Sequence, residues 1–224
     1  RMLISSTHTH SAPAAMACLG SDADPNYVKA LPGLIAEGIV RANSRLKPAR
    51  VGWAVIDAPD HTNCRRWILR PDKMRTDPFG EKTVRAHMHP GHQNPSFIGP
   101  SAPVDTGLSL LAVETTDGKP LAMFANFSMH YYGAAAVSAD YCGAFPEEFG
   151  KLINAGDGKS GFIAAMTQGT SGDMQWMDYS KPRPQRDVRK YSAELAGIAR
   201  QAYKNIEYRP WVSLAMAEAK LKLR

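Results

Sequence analysis

Two apolar segments separated by a tight turn constrain the fold more than any other feature of the sequence. The segments are residues 109–115 and 121–129, and the linker between them contains the step Asp117-Gly118. An Asp-Gly step favours the positive φ angles of a short hairpin turn, so the two segments are predicted to pair as antiparallel strands. A chain with this hairpin at its centre is expected to build a sheet.

Helical and strand-like patterns alternate along the rest of the chain. Three segments carry apolar residues at helical spacing, and three short runs of apolar and β-branched residues are typical of strands. The predicted helices are 26–46, 145–153 and 187–208, and the predicted strands are 2–7, 51–56 and 161–167. This mixture predicts an α/β fold, a mixed sheet flanked by helices. Residues 57–106 lack a clear period and are predicted to form a long excursion of the kind that carries function.

Composition excludes several classes of protein. No apolar run in the 224 residues approaches the ~20 residues of a membrane-spanning helix. The net charge is +6, but Lys and Arg are scattered, most densely at 181–190, so no nucleic-acid partner is predicted. The three cysteines, Cys18, Cys64 and Cys142, form no CxxC pair. Neither a disulfide framework nor a thiolate zinc site is indicated, although a single disulfide stays open.

Both ends of the sequence have the character of internal segments. Residues 1–6 lack the basic stretch and long apolar run of a signal peptide, and they resemble a strand entered midway. The last residues, 211–224, end inside a patterned segment. We therefore expect residues 1–224 to be part of a larger domain that is truncated at both ends.

Three histidines are candidates for a metal site. His8 and His10 flank a single residue, and residues i and i+2 of a strand project to the same face. His130 follows the apolar segment 121–129 and can supply a third ring nitrogen. Neutral imidazole suits zinc, whose catalytic sites usually hold three protein ligands and a water. Taken singly, each histidine has an ordinary alternative, as a hydrogen-bonded loop residue or a satisfied residue near the core.

Other polar residues could complete or compete with this site. The loop Gln168-Gly169-Thr170-Ser171-Gly172-Asp173-Met174 follows a predicted strand, and Ser171 is its candidate hydroxyl, with a plain turn as the alternative. Asp140 either orients a ligating histidine or serves a turn. An Arg near His61 could bind an oxyanion, or it is simply solvated. A second metal site is the weaker option for a Pro- and Gly-rich loop that contains His87, His89 and His92.

Three ordered blocks resemble the neutral/alkaline, non-lysosomal ceramidase family. They are Ile4-Ser5-Ser6-Thr7-His8-Thr9-His10-Ser11-Ala12-Pro13, Phe124-Ala125-Asn126-Phe127-Ser128-Met129-His130 and Ala164-Ala165-Met166-Thr167-Gln168-Gly169-Thr170-Ser171-Gly172-Asp173. The blocks span most of the chain, and the first is the most specific. The resemblance implies the front part of a catalytic domain in which one Zn²⁺ activates water to cleave the amide of ceramide, or a related lipid amide, into a sphingoid base and a fatty acid.

The resemblance also implies roles for individual residues. It makes His8 and His130 zinc ligands and His10 a group that contacts the substrate or transition state, and it places a catalytic Arg at Arg65. The family's remaining zinc ligands, a Glu and a Tyr, are expected beyond residue 224. A lipid-amide substrate, met at a membrane surface, and a secreted or periplasmic location are further expectations from the resemblance.

One departure from the family pattern concerns the end of the third block. The family continues Gly-Asp with Val-Ser-Pro, whose Ser is the proposed catalytic hydroxyl, whereas Gln175 stands at that position here. A Gln amide can donate to an oxyanion but cannot act as a nucleophilic hydroxyl. We therefore place Ser171 and Asp173 with the catalytic residues, and Gln175 and Gly172 with the substrate contacts. The alternative function is a ceramidase-like protein without amidase activity that binds a lipid or a glycan.

Overall fold

The computed structural model describes residues 3–18, 20–153 and 161–222. The helices are α1 (Pro25–Asn43), α2 (Asp140–Leu152) and α3 (Val188–Tyr203), with short 3-10 turns at Pro59–His61 and Pro71–Lys73. The strands are β1 (Ala49–Asp57), β2 (Asn63–Cys64), β3 (Arg66–Leu69), β4 (Ala86–Met88), β5 (Phe97–Pro100), β6 (Gly107–Thr115), β7 (Pro120–Phe127), β8 (Ile163–Gln168) and β9 (Met174–Gln175).

The largest sheet has the strand order β1-β6-β7-β8. β6 and β7 pair antiparallel from Ser109 opposite Asn126 onward, which confirms the predicted hairpin. Gly118 occupies the turn at a φ of 82°, a conformation that glycine adopts without steric cost. β8 joins β7 in parallel, and α2 lies in the connection between them. The sheet is therefore mixed, as predicted.

Helices α2 and α3 pack on each other, α2 packs on β8, and α3 packs on β1 and β6. The apolar core between sheet and helices contains buried side chains from alternate positions of β6 and β7, Leu108, Leu110, Met123 and Phe127, and from the helices, Phe145, Phe149 and Leu195. The α/β class predicted from the sequence is confirmed. α3 begins after Asp187, whose carboxylate caps the helix by accepting from the Lys190 N–H. α2 begins at Asp140, five residues before the predicted start.

The long excursion 57–106 contains more structure than its sequence pattern indicates. β4, β3 and β5 form a three-stranded sheet, and β2 pairs with β9. The sequence of this excursion shows no period because these strands are only two to four residues long. The β2–β9 pair matters most, since it brings the residues around Arg65 beside the loop that follows β8.

The predicted strand 2–7 is wrong within the described residues, because residues 3–7 form no ladder with another strand. Met2 lies outside the described residues. The residues that follow are held by hydrogen bonds: Thr9 Oγ1 donates to the Ser138 carbonyl, and the Ser138 N–H donates to the Ser11 carbonyl. Residues 211–222 likewise form no helix or strand, and the last two residues of that predicted segment lie outside the described part.

Helix α1 was predicted over 26–46 and ends at Asn43. The Asp24 carboxylate caps it by accepting from the Asn26 and Tyr27 N–H groups. None of its residues is buried, so its apolar stripe is not part of the core. No helix within the described ranges has the length and apolar character that crossing a membrane requires.

Candidate metal centre

The central site is formed where the N-terminal segment meets the end of β7. His130 lies three residues after β7 and is buried, whereas His8 and His10 reach it from the exposed segment held by Ser138. His8 has a φ of 53°, outside the β region of a regular strand, so the strand-face argument from the sequence does not explain the convergence. The left-handed turn at His8 brings its ring and that of His10 to the same point.

The ring nitrogens of the three histidines converge. His8 Nε2 lies 3.1 Å from His130 Nε2 and 3.0 Å from His10 Nε2, and ligand atoms of all three lie within 4.8 Å of one another. Zinc binds nitrogen at about 2.0–2.1 Å, and two ligands of one tetrahedral ion are then roughly 3.3 Å apart. The 3.1 Å separation of the His8 and His130 nitrogens therefore fits two ligands of one small cation.

Protonation states support the same conclusion. Each Nε2 of a neutral imidazole offers either one N–H or one lone pair. His8 Nε2 faces two other Nε2 atoms, and its single N–H or lone pair can be well aligned with only one of them. A cation between His8 and His130 gives the lone pairs of these two nitrogens a ligand bond each.

His130 is held in the tautomer that a metal requires. Its Nδ1 lies 3.0 Å from the Ser171 carbonyl oxygen, and a carbonyl only accepts, so Nδ1 carries the proton and Nε2 the lone pair. Burial and then the charge of Arg65 lower the pKa of His130 to about 4. The ring is therefore neutral and ready to ligate at neutral pH.

His10 differs from His130 in its surroundings. Its ring is exposed and stacks on Tyr131 with a centroid separation of 3.8 Å and an interplanar angle of 16°. Burial, followed by the nearby His8 and Arg65, lowers the pKa of His10. A neutral ring at the open edge of the cluster can contact a bound molecule as well as a metal.

Asp140 organises the backbone after His130 and does not hydrogen-bond the His130 ring. Its buried carboxylate accepts from the N–H groups of Tyr132, Gly133, Ala134 and Tyr141 at 2.6–3.1 Å. Of the two roles that the sequence left open, the structure supports the turn. The group that orients His130 is instead the Ser171 carbonyl.

Arg65 lies at the β2–β9 junction and is tied to the loop after β8. Its side-chain Nε and Nη2 donate to the Gly172 carbonyl at 3.1 and 2.6 Å, and its backbone N–H donates to the Asp173 carbonyl at 2.8 Å. The guanidinium is thus fixed close enough to lower the pKa of both His130 and His10. The structure places Arg65 and His130 on the wall of one cavity, and the catalytic role of Arg65 stays a prediction.

The loop after β8 positions these groups through its main chain. The Ser171 carbonyl orients His130, and the Gly172 and Asp173 carbonyls hold Arg65. Gly169 is required here, because a Cβ would overlap the Ser128 hydroxyl. Gln175 is buried in β9, and its Nε2 donates to the Met177 carbonyl at 2.8 Å. Whether Ser171, Asp173 or Gln175 contacts a substrate stays a prediction.

The second predicted histidine group forms no comparable cluster. His89 Nδ1 lies 2.6 Å from the Tyr179 hydroxyl, and His92 Nδ1 lies 2.9 Å from the Lys181 carbonyl. Across residues 3–18, 20–153 and 161–222, His8, His10 and His130 are the one group of metal-binding side chains that meet. The cysteines among these residues are unpaired, so the single disulfide left open by the sequence does not form.

Sequence reasoning missed residues that support the site from a distance. Gln168, at the end of β8, donates its side-chain N–H groups to the carbonyls of Met129 and His130, and the Trp176 indole donates to the Tyr132 carbonyl at 2.9 Å. Arg186 donates to the carbonyls of Tyr132 and Gly133. A polar residue that ends an apolar strand was the available signal for Gln168.

Comparison with solved structures finds two ceramidases that are similar to this chain. The described structure is similar to that of neutral ceramidase from Pseudomonas aeruginosa, with a TM-score of 0.53 and 18% sequence identity over 79% of this chain. A ceramidase complexed with C2 is also similar, at a TM-score of 0.49 and 18% identity over 77% of the chain. No protein-family profile and no curated protein matches the sequence. The chain has a ceramidase-like fold and spans about a quarter of those two proteins, 26% and 25% of their lengths.

Proposed function

We propose that this chain belongs to a zinc-dependent amidohydrolase that cleaves a lipid amide, ceramide or a relative of it. The observation that carries the proposal is the convergence of His8, His10 and His130 nitrogens, with His130 oriented by a backbone carbonyl. The ceramidase-like fold supports it, and the blocks of sequence that contain the cluster resemble the same family. Residues 1–224 would then form the N-terminal part of a larger catalytic domain.

The proposed roles divide the cluster between metal and substrate. His8 and His130 would hold the zinc ion, which when bound polarises an amide carbonyl and lowers the pKa of water toward 7. His10, exposed and stacked on Tyr131, would donate to or accept from the substrate at the open edge. Arg65, fixed by the loop carbonyls, would stabilise negative charge that develops on the carbonyl oxygen.

Further parts of the proposal concern the neighbouring loop and the setting. Ser171 and Asp173 would act with the catalytic groups, and Gly172 and Gln175 would line the substrate site, all within the loop and strand that hold Arg65. The expected remaining ligands, a Glu and a Tyr, would come from elsewhere in the full domain. A secreted or envelope location and a substrate presented at a membrane surface agree with hydrolysis of a lipid amide.

Separating the roles of His8 and His10 is the first test. We expect His10→Ala to retain zinc and to lower kcat/KM for ceramide by roughly 10²–10³-fold, the effect of removing one charge-stabilising donor. We expect His8→Ala to lose zinc as well as activity. Zinc content by atomic emission and turnover of a fluorescent ceramide measure both, with His92→Ala as the matched histidine control. Loss of zinc from His10→Ala would make His10 a ligand.

A ceramidase-like binding protein is the second candidate, and Gln175 favours it. A Gln side chain has no hydroxyl to act as a nucleophile. The Gln175 side chain is also buried, and its amide nitrogen donates to the Met177 carbonyl. If amidase activity has been lost at this position, Gln175→Ser restores ceramide hydrolysis to a protein that lacks it. Turnover of ceramide by the unmodified protein at rates above the Gln175→Ser variant would reject this candidate in favour of the enzyme.

A further inference from the structure

A cavity of about 170 Å³ opens beside His130, and cationic side chains line it. Arg65, Arg183 and Arg186 all contribute to its wall, together with Gln175 and Trp176. No carboxylate is among the lining residues that the structure describes. The volume lies below the ~300–1,000 Å³ of pockets that enclose drug-sized ligands, so the cavity suits a small polar group better than a long acyl chain.

In the described part of the chain, the charges of these arginines are not paired with carboxylates. Arg65 donates to the Gly172 carbonyl, and Arg186 donates to the Tyr132 and Gly133 carbonyls, all of which are uncharged acceptors. By contrast, Arg50 and Arg189 pair with carboxylates. Within the described ranges, none of the three cavity arginines has an Asp or Glu oxygen within 4.0 Å, the distance limit of an ion pair.

The backbone is shaped to receive Arg186. Gly133 has a φ of 100°, and a Cβ at this position would overlap the Arg186 guanidinium. Asp140 fixes the same turn through the Gly133 N–H. A guanidinium held in place by neutral carbonyls keeps its remaining N–H groups for an external acceptor, and Arg prefers carboxylate and phosphate oxygens.

We propose that the cavity binds an oxyanion, a carboxylate or a phosphate, on the amine side of the amide substrate. This inference rests on the proposed hydrolase function, because the cavity adjoins the proposed zinc site. His130 and the three arginines line the same cavity wall. The reaction is hydrolysis: the amide C–N bond breaks, the acyl carbon gains the hydroxyl of water, and the nitrogen gains the proton. The products are a fatty acid and an amine that retains its anionic group.

The proposal is tested with matched amides that differ in charge. N-lauroylglycine carries a carboxylate, O-phosphorylated N-lauroylethanolamine carries a phosphate, and N-lauroylethanolamine is the neutral counterpart. We expect kcat/KM to be about 10- to 100-fold higher for at least one anionic amide than for the neutral one, the effect of a charge-assisted hydrogen bond. The amide with the higher kcat/KM shows whether the cavity prefers a carboxylate or a phosphate. Equal rates for all three amides would overturn the proposal.

Variants locate the preference. Arg183 is exposed, so Arg183→Gln is expected to fold, and it should reduce the anionic preference about tenfold. Arg186→Gln is the second cavity variant. Arg189→Gln makes the same charge change three residues away, outside the cavity, and should keep the preference. An unchanged preference in both cavity variants, or an equal loss in Arg189→Gln, would contradict a specific site.

A binding measurement separates this inference from the hydrolase proposal. Isothermal calorimetry of N-lauroylglycine and N-lauroylethanolamine, on zinc-loaded and metal-free protein, requires no turnover. If no amide is hydrolysed but the anionic compound binds at least tenfold more tightly, and Arg183→Gln removes the difference, the anion site stands while the hydrolase function fails. Equal affinities for the two compounds would refute the anion site whatever the activity.

Discussion

Replacing His130 is expected to remove zinc binding and reduce amide hydrolysis by roughly 10³-fold or more. His130 is the buried member of the cluster, and its Nε2 is the nitrogen that the Ser171 carbonyl prepares for a metal. Loss of bound zinc forfeits several kcal/mol of charge stabilisation in the transition state, and each 1.36 kcal/mol corresponds to about tenfold in rate. Isothermal calorimetry of a zinc titration measures the loss of binding, and turnover of a lipid amide measures the loss of activity.

The informative variant is His130→Asn rather than His130→Ala. The Asn side-chain amide can still donate to the Ser171 carbonyl, but it offers no nitrogen lone pair to a metal, so folding is preserved while ligation is lost. His92→Ala is the matched control, because His92 is bonded to the Lys181 carbonyl outside the cluster. A His130→Asn protein that keeps its zinc affinity would show that His130 is not a ligand.

The largest effect on stability is expected at Asp140. Asp140→Ala leaves the buried N–H groups of Tyr132 and Tyr141 without their acceptor, and it puts alanine at a φ of 56°. Each of the two buried unsatisfied donors costs about 1–3 kcal/mol and a left-handed residue about 1–2 kcal/mol, so the free energy of unfolding should fall by at least about 3 kcal/mol. Urea denaturation of the metal-free protein gives this value.

Two controls bracket the Asp140 prediction. Asp117→Ala removes a carboxylate from an exposed hairpin turn, where its ion pair with Lys119 is screened by solvent and the free energy of unfolding should change little. Asp140→Asn keeps one acceptor oxygen and a residue type that tolerates a positive φ, so its loss should be intermediate. If Asp140→Ala costs no more than Asp117→Ala, the carboxylate does not support the turn after His130.

The sequence predicted those parts of the fold that depend on local patterns. The 109–129 hairpin, α3 and the position of His130 at the end of a buried strand followed from periodicity and turn chemistry. Strands of two to four residues, such as β2 and β9, have too few positions to show a period. The pairing of these strands is nevertheless what carries Arg65 to the loop after β8.

The histidine cluster was predicted from its residues but not by the correct geometry. His8 and His10 were expected to share a strand face, whereas a left-handed turn at His8 brings them together. The supporting contacts from Gln168 and Arg186 join residues 38 to 54 positions apart, and no local pattern indicates such pairs. The contact of His130 with the Ser171 carbonyl, 41 positions away, was unpredictable for the same reason.

The central claim is that His8 and His130 share one zinc ion. Crystals of the protein grown with zinc, with data collected on both sides of the zinc absorption edge, test it most directly. The account predicts an anomalous difference peak at about 2.0–2.1 Å from the Nε2 atoms of both His8 and His130. Absence of a peak between these atoms, or a peak confined to His87, His89 and His92, would contradict it.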